Sequence, residues 1–333
     1  MKAMLLQQTK PVDERPLIRV DVPKPEPGPG EVLIKVLACG ACHTDLHTVE
    51  GDLDLPRIPL IPGHQVVGIV EECGPEVHRY EPGARVGVTW LFSSCGSCSF
   101  CKQGRENLCA DARFTGYHAN GGYAEYMVVP QYSAFEVPAV FSDVQATPLL
   151  CGGVIGYRAL RLSEVKPGQK LGMYGFGNSA HVVIQLAVKR GCRVHVFTRG
   201  RNHQDLAREL GAEWVGSSSE DPPSPMDASI IFAPAGALVP RALEVLDKGG
   251  TLALAGITMT PIPEMNYGLI YGERTVRSVA NTTRKDAEAL LAEAAEVPVR
   301  TVVETFPLDQ ANEVLLRMKE SRLRGGAALV VQG

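Results

Sequence analysis

The sequence predicts an α/β protein of two domains, a β-rich unit and a parallel-sheet unit. Three observations carry this reading. The chain has 333 residues, more than one ordinary core accommodates. Up to about Val129 it consists of short β-rich runs between Pro/Gly segments, and from about Gly152 strand-like and helix-like runs alternate.

In the first part EVLIKVLACG, VVGIVEEC and ARVGVTW are separated by turn-rich stretches such as PKPEPGPGE, the pattern of a compact, barrel-like β unit with long loops. In the second, KLGMYG reads as a buried strand, NSAHVVIQLAVKRG as a helix, CRVHVFTRG as a strand and HQDLARELG as a helix stopped by glycine. Such alternation implies parallel strands joined by right-handed crossovers. ASIIFAPAG, LVPRALEVLDKGG and TLALAGI continue it, while Ser217 to Asp227 (SSSEDPPSPMD) reads as a surface loop. After Asn281 come a helix-like RKDAEALLAEAAE, then VRTVVETFPL, a second helix and a final strand AALVV. These last residues, about fifty, are too few for a third domain. The expected division is therefore residues 1–151, completed by 282–333, around a second domain of residues 152–281.

Apolar residues make up 45% and charged residues 21%, with a formal net charge of -4, an ordinary packed mixture. No basic tract marks a nucleic-acid or membrane-surface partner. No stretch approaches the roughly 18 apolar residues of a spanning helix, and MKAMLLQQTKP has too short an apolar run for a signal peptide. A cytoplasmic protein acting on a small molecule is the expectation.

Four of the nine cysteines crowd together as CGSCSFCKQGRENLC. Cys95, Cys98, Cys101 and Cys109 follow a C-x2-C-x2-C-x7-C spacing, in which four thiolates surround one zinc and leave it no open position, a structural site. Free thiols, disulfides and an iron–sulfur cluster are the alternatives. A dispersed set, Cys42 in CGACHTDLH, His64 in PGHQ and Cys151 in LLCGG, offers two thiolates and an imidazole with a fourth position free, the composition of a catalytic zinc site. Taken singly, Cys151 reads equally as a buried packing residue and His64 as a satisfied loop histidine. Cys39, Cys73 and Cys192 read as packing residues.

GFGNSA places Gly175, Gly177 and Ala180 as G-x-G-x-x-A between a strand and a helix. The glycines allow a tight turn and close approach of a pyrophosphate, which the helix N-terminus attracts. About twenty residues on, where an acid would hold the ribose 2′-hydroxyl of NAD, the chain has VFTRGR. Thr198 and Arg199, with Arg201 nearby, suit a 2′-phosphate, so NADP(H) is expected ahead of NAD(H). The alternative is that both arginines are merely solvated at a strand end.

With these residues assembled, the chain resembles the zinc-dependent alcohol dehydrogenases of the medium-chain dehydrogenase/reductase family. CGACHTDLHTVEGDL, PGHQVVG, the cysteine lobe, NGGYAEY, LLCGG and GFGNSA occur in the family's order along nearly the whole chain. The resemblance implies a GroES-like catalytic domain and a Rossmann cofactor domain. It implies two zincs per chain, a catalytic one on Cys42, His64 and Cys151 and a structural one on the four-cysteine lobe. Thr44 would accept the substrate hydroxyl proton and pass it towards His47 by way of the cofactor ribose. Asp45 would orient the ligand imidazole, His43 would lie near the pyrophosphate, and Trp90 would narrow the pocket to a small or slender substrate. A surface role is the alternative for Trp90. The family's oligomers, dimers or tetramers, point to RTVRSVA near Val276 as a contact edge.

Two departures stand out. The family pattern is G-H-E, and here Gln65 follows His64, keeping an oxygen donor but removing a charge. An impaired, binding-only protein is the competing reading that this substitution opens. Near the C-terminus, where many members carry an arginine for the pyrophosphate, this chain has Gly326, with Arg324 two residues earlier.

Overall fold

The structure is a computed structural model that describes residues 1–331. The chain forms two compact units. One comprises Met1–Cys151, Asn281–Ala295 and the stretch from Arg300; the other comprises Gly152–Ala280 with Glu296–Val299. Of the segment after Asn281, four residues, Glu296–Val299, fall in the second unit.

The first unit opens with β1 (Lys2–Leu6) and β2 (Leu17–Asp21), an antiparallel pair. The long β3 (Glu31–Ala41) leads through Cys42 into α1 (His43–Glu50), and β4 (Gln65–Cys73) follows. Next come β5 (Arg85–Val88), β6 (Leu91–Ser93), α2 (Ser99–Lys102), β7 (Arg113–Phe114), β8 (Tyr126–Pro130), β9 (Ala134–Glu136) and α3 (Asp143–Ala146). Val32, Ile34 and Val36 of β3 pack against Val66, Val70 and Val86 in the main core, all buried. Burying such side chains is the principal force that closes this sheet, at roughly 1.5–3 kcal/mol each.

No helix is evident in the sequence over His43–Glu50, yet α1 is well capped. Cys42 at the N-cap is extended, its N–H donates to Asp45 Oδ2 at 2.9 Å, and Gly51 ends the helix at φ 84°.

The second unit runs α4 (Gly152–Leu162), β10 (Lys170–Tyr174), α5 (Asn178–Lys189), β11 (Arg193–Phe197), α6 (Arg201–Glu209), β12 (Trp214–Gly216), β13 (Met226–Ile231), α7 (Leu238–Glu244), β14 (Leu246–Leu254) and β15 (Thr275–Ser278). Its strands are parallel and ordered β12-β11-β10-β13-β14-β15, the doubly wound pattern expected of alternating strands and helices. Two local expectations are corrected. Met226 and Asp227 belong to β13 rather than to the preceding loop, because Met226 is fully buried and pairs with Leu246. LVPRALEVLDKGG is not helical throughout: α7 stops at Glu244, and Leu246 begins a strand that turns at Gly249, φ 73°.

The chain then forms α8 (Arg284–Glu296), β16 (Val303–Pro307), α9 (Ala311–Lys319) and β17 (Gly326–Val330). β17 pairs antiparallel with β3, Ala327 opposite Ala41, giving the order β16-β17-β3-β4-β5-β9 with β8 also on β3. Arg324 lies exposed just before β17. No helix among the described residues is long and apolar enough to cross a membrane.

Candidate active site and metal centres

Three elements of the first unit bring Cys42, His64 and Cys151 together. Cys42 caps α1, His64 directly precedes β4, and Cys151 ends the unit, with the three ligand atoms all within 4.8 Å of one another. An ion held by thiolates at about 2.3 Å sets tetrahedral neighbours about 3.8 Å apart. Cys42 Sγ and Cys151 Sγ lie 3.7 Å apart. His64 is fully buried, and its Nε2 has no hydrogen-bond partner among the described residues. A buried ring nitrogen without a partner is costly unless a metal takes it. The donor set therefore fits zinc.

Asp45 holds this arrangement. It is 1% exposed; Oδ1 lies 3.0 Å from His64 Nδ1 and accepts the Gly63 N–H at 3.2 Å, while Oδ2 takes the Cys42 N–H. The Nδ1 contact leaves Nε2 as the free donor. One carboxylate thus orients two of the three candidate ligands, one more than the sequence pointed to. Gly63 is at φ 97°, and a Cβ there would sit 2.4 Å from the ring of the buried Tyr123, so the turn that presents His64 admits only glycine.

Burial opposes a charge on His64, but the Asp45 carboxylate and Cys42 outweigh it and raise the imidazole to about 10. Cys42 is held well below the usual thiol range by the Cys151 S–H and, against burial, by His64. The Cys151 thiol moves well above it, because it donates to Cys42 and is buried. Without metal the trio thus favours the thiolate on Cys42, the charged imidazole on His64 and the thiol on Cys151.

Thr44 is buried, its Oγ1 3.7 Å from Cys42 Sγ. His47, one turn later on α1, is part-exposed, with Nδ1 2.8 Å from Asp52 Oδ2. His43 is exposed at the first position of α1. Gln65 is 5% exposed and pairs with Gly40 across β3 and β4; a Cβ on Gly40 would lie 3.0 Å from Gln65 Oε1, so the amide occupies the space over that glycine. Trp90 stands edge-on to His64, ring centres 5.0 Å apart and planes at 74°, so it belongs to the site's wall rather than to open surface. Phe114 and Tyr117 extend that wall, at 5.1 and 5.9 Å from Trp90. Neither stands out in the sequence, where the aromatic run FTGYH is the one signal of them.

The lobe gathers Cys95, Cys98, Cys101 and Cys109, all four sulfurs within 4.8 Å of one another. Cys95 Sγ lies 3.9 Å from Cys101 Sγ and 3.5 Å from Cys109 Sγ. These are the separations of one tetrahedral ion, whereas an iron–sulfur cluster spreads its cysteines over separate irons. All nine cysteines are free of disulfides. The Cys98 and Ser97 N–H groups point at Cys95 and lower its thiol to about 6, ready to bind as thiolate.

In the second unit, Gly175 takes φ 87° at the end of β10, and Gly177 caps α5 without a side-chain partner. A Cβ at Gly177 would meet nothing within 4 Å, which leaves clear space at a helix N-terminus for a pyrophosphate. Ala180 is fully buried and serves helix packing. Thr198 follows β11, buried, donating its N–H to Gly216 O at 2.8 Å; Arg199 beside it and Arg201 at the start of α6 are exposed.

Comparison with known proteins agrees with both units. Residues 28–139 match the alcohol dehydrogenase GroES-like domain, and residues 180–296 match the zinc-binding dehydrogenase domain. A probable alcohol dehydrogenase of Mycobacterium tuberculosis is 45% identical over 99% of this chain and 97% of its own length. Among solved structures, the cobalt- and zinc-bound thermostable alcohol dehydrogenase of Pyrobaculum aerophilum is 26% identical with a TM-score of 0.89, covering 99% of each chain. An NADP-bound zinc-binding dehydrogenase from Sinorhizobium meliloti, whose assignment is provisional, is 27% identical with a TM-score of 0.83, covering 99% of this chain and 98% of its own. On the motifs, the fold and these relatives together, the chain belongs to the zinc-dependent alcohol dehydrogenases of the medium-chain dehydrogenase/reductase family.

Proposed function

We propose that the protein interconverts a primary or secondary alcohol and its aldehyde or ketone, using a catalytic zinc on Cys42, His64 and Cys151 and NADP(H) in preference to NAD(H). The observation that carries this reading is the buried, unpartnered His64 Nε2 facing two sulfurs 3.7 Å apart. The metal, when bound, acidifies an alcohol hydroxyl and polarises a carbonyl, and the nicotinamide carries the hydride.

The chain's own residues do the rest. Asp45 fixes the His64 ring and the start of α1. Thr44, buried next to Cys42, takes the hydroxyl proton, and His47, part-exposed and oriented by Asp52, passes it on to solvent. Trp90, with Phe114 and Tyr117 behind it, excludes water from one side of His64. Gly175, Gly177 and the N-terminus of α5 take the pyrophosphate, and Thr198 and Arg199 take the 2′-phosphate. Cys95, Cys98, Cys101 and Cys109 hold a second, structural zinc. β15 is an open sheet edge with Val276 36% exposed, which supports a homo-oligomer formed through the second unit.

The test is metal content together with cofactor oxidation. Two zincs per chain, and NADPH-dependent aldehyde reduction that a chelator abolishes, are expected. Chelator-insensitive turnover would defeat the zinc mechanism, and equal use of NADPH and NADH would defeat the role of Arg199. The impaired-protein reading opened by Gln65 is not favoured, since relatives alike over the whole chain are alcohol dehydrogenases.

A further inference from the structure

Trp90 lies between β5 and β6, outside both strands, so its side chain depends on neighbours for its position. Phe114 supplies that support. Its ring lies flat on the indole, with centres 5.1 Å apart and planes 10° apart, and the indole in turn meets the His64 ring edge-to-face.

Backbone contacts build this row of three rings. The Thr115 N–H donates to Trp90 O at 2.9 Å, and the buried Thr115 hydroxyl donates to Thr89 O at 2.9 Å. β6 and β7 pair Leu91 with Phe114. The turn after Phe114 closes on itself: the His118 N–H returns to Phe114 O at 2.9 Å, and His118 Nδ1 accepts the Phe114 N–H at 3.1 Å. Tyr117 flanks the indole and donates its hydroxyl to Asp54 O, tying a second loop to the same wall. Phe114 itself is held on both sides of its peptide, which makes it a rigid backstop.

We propose that Phe114 is a positioning residue that sets the size limit on the substrate. By pinning the Trp90 indole against His64, it keeps the approach to His64 Nε2 narrow and confines the enzyme to slender, unbranched aldehydes and alcohols. This rests on the reading above that His64 is a zinc ligand of an aldehyde-reducing enzyme.

The test uses the zinc-loaded enzyme in a Trp214→Phe background. The chain has two tryptophans, so emission then comes from Trp90 alone. Phe114→Ala should lower the anisotropy of that emission and raise the ratio of kcat/KM for cyclohexanecarbaldehyde over acetaldehyde about tenfold, through the KM of the bulky substrate. Phe114→Tyr should keep both at the parent values, and Phe114→Leu replaces Phe114→Ala if the alanine variant does not fold. A size ratio that stays within twofold of the parent overturns the proposal. So does a changed ratio with unchanged anisotropy, which would mean that Phe114 touches substrate directly. If the parent enzyme reduces neither aldehyde, the functional reading fails on its own, and anisotropy still decides the lock: a fall upholds it and no change overturns it.

Discussion

Asp45 and His64 form a buried pair, Oδ1 to Nδ1 at 3.0 Å, and the same carboxylate holds the N–H of a second candidate ligand, Cys42, at 2.9 Å. Replacing Asp45 by alanine removes both supports at once. The expected outcome is a zinc affinity of the three-ligand site lowered about 10- to 100-fold, with the four-cysteine lobe still loaded. Competition against a graded series of chelators reads this, and retention of both zincs at parental affinity would contradict it.

Loading the three-ligand site should release protons. At pH 7 the metal-free His64, raised to about 10, is charged, and Cys151, raised well above the thiol range, is a neutral thiol. Zinc needs both deprotonated, so about two protons leave per ion bound at this site. Affinity therefore rises with pH from neutrality towards 10. Titration calorimetry in buffers of different ionisation enthalpy counts the protons, and a pH-independent affinity would refute the assignment.

The same linkage acts on metal-free stability. His64 has a folded value of about 10 against a reference of 6.5, so its contribution is full below pH 6.5 and is lost as pH rises through 10. The melting temperature of the chelated protein should fall on that alkaline limb. Zinc-loaded protein, with the proton already displaced, should lack this His64 component.

Gln65→Glu places a charge in the space over Gly40, beside the ligand loop. Zinc should leave more slowly by about tenfold, with turnover changed as well, because the added anion both retains the metal and weakens its pull on substrate. Stopped-flow capture by a chelator measures the first effect. If zinc release and turnover both stay at the parent values, Gln65 has no part in the chemistry.

Arg199→Ala should shift the ratio of kcat/KM for NADPH over NADH by about 10- to 100-fold in favour of NADH, the scale of one lost charge-assisted hydrogen bond. Steady-state kinetics with each cofactor at a fixed aldehyde concentration gives the ratio directly. An unchanged ratio would leave Arg199 as a solvated surface residue.

The two candidate metal sets were legible in the sequence because sulfur and imidazole carry their chemistry in the residue type, and the lobe's spacing leaves few other uses. The parallel sheet was legible for a different reason, since KLGMYG and ASIIFAPAG are short apolar runs set between helical ones. α1 was not. Its cap is a cysteine, a residue outside the usual capping set, and its buried Leu46 and Val49 are too few to set a helical period. Phe114 was hidden because its partner Trp90 lies across a turn whose geometry only the β6–β7 pairing defines. The early start of β14 escaped notice because Leu246 looks helical until Met226 is seen opposite it.

The pairing of β17 with β3 sets an order of assembly during synthesis. Ala41 emerges from the ribosome long before its partner Ala327. The end of β3 that leads into Cys42, from Ala38 to Ala41, therefore waits without its β17 partner while the second unit, whose sheet is drawn from a single stretch of chain, has time to form. Loss of β17 would therefore leave the first unit open at the end of β3 that carries Cys42, while sparing the sheet of the second.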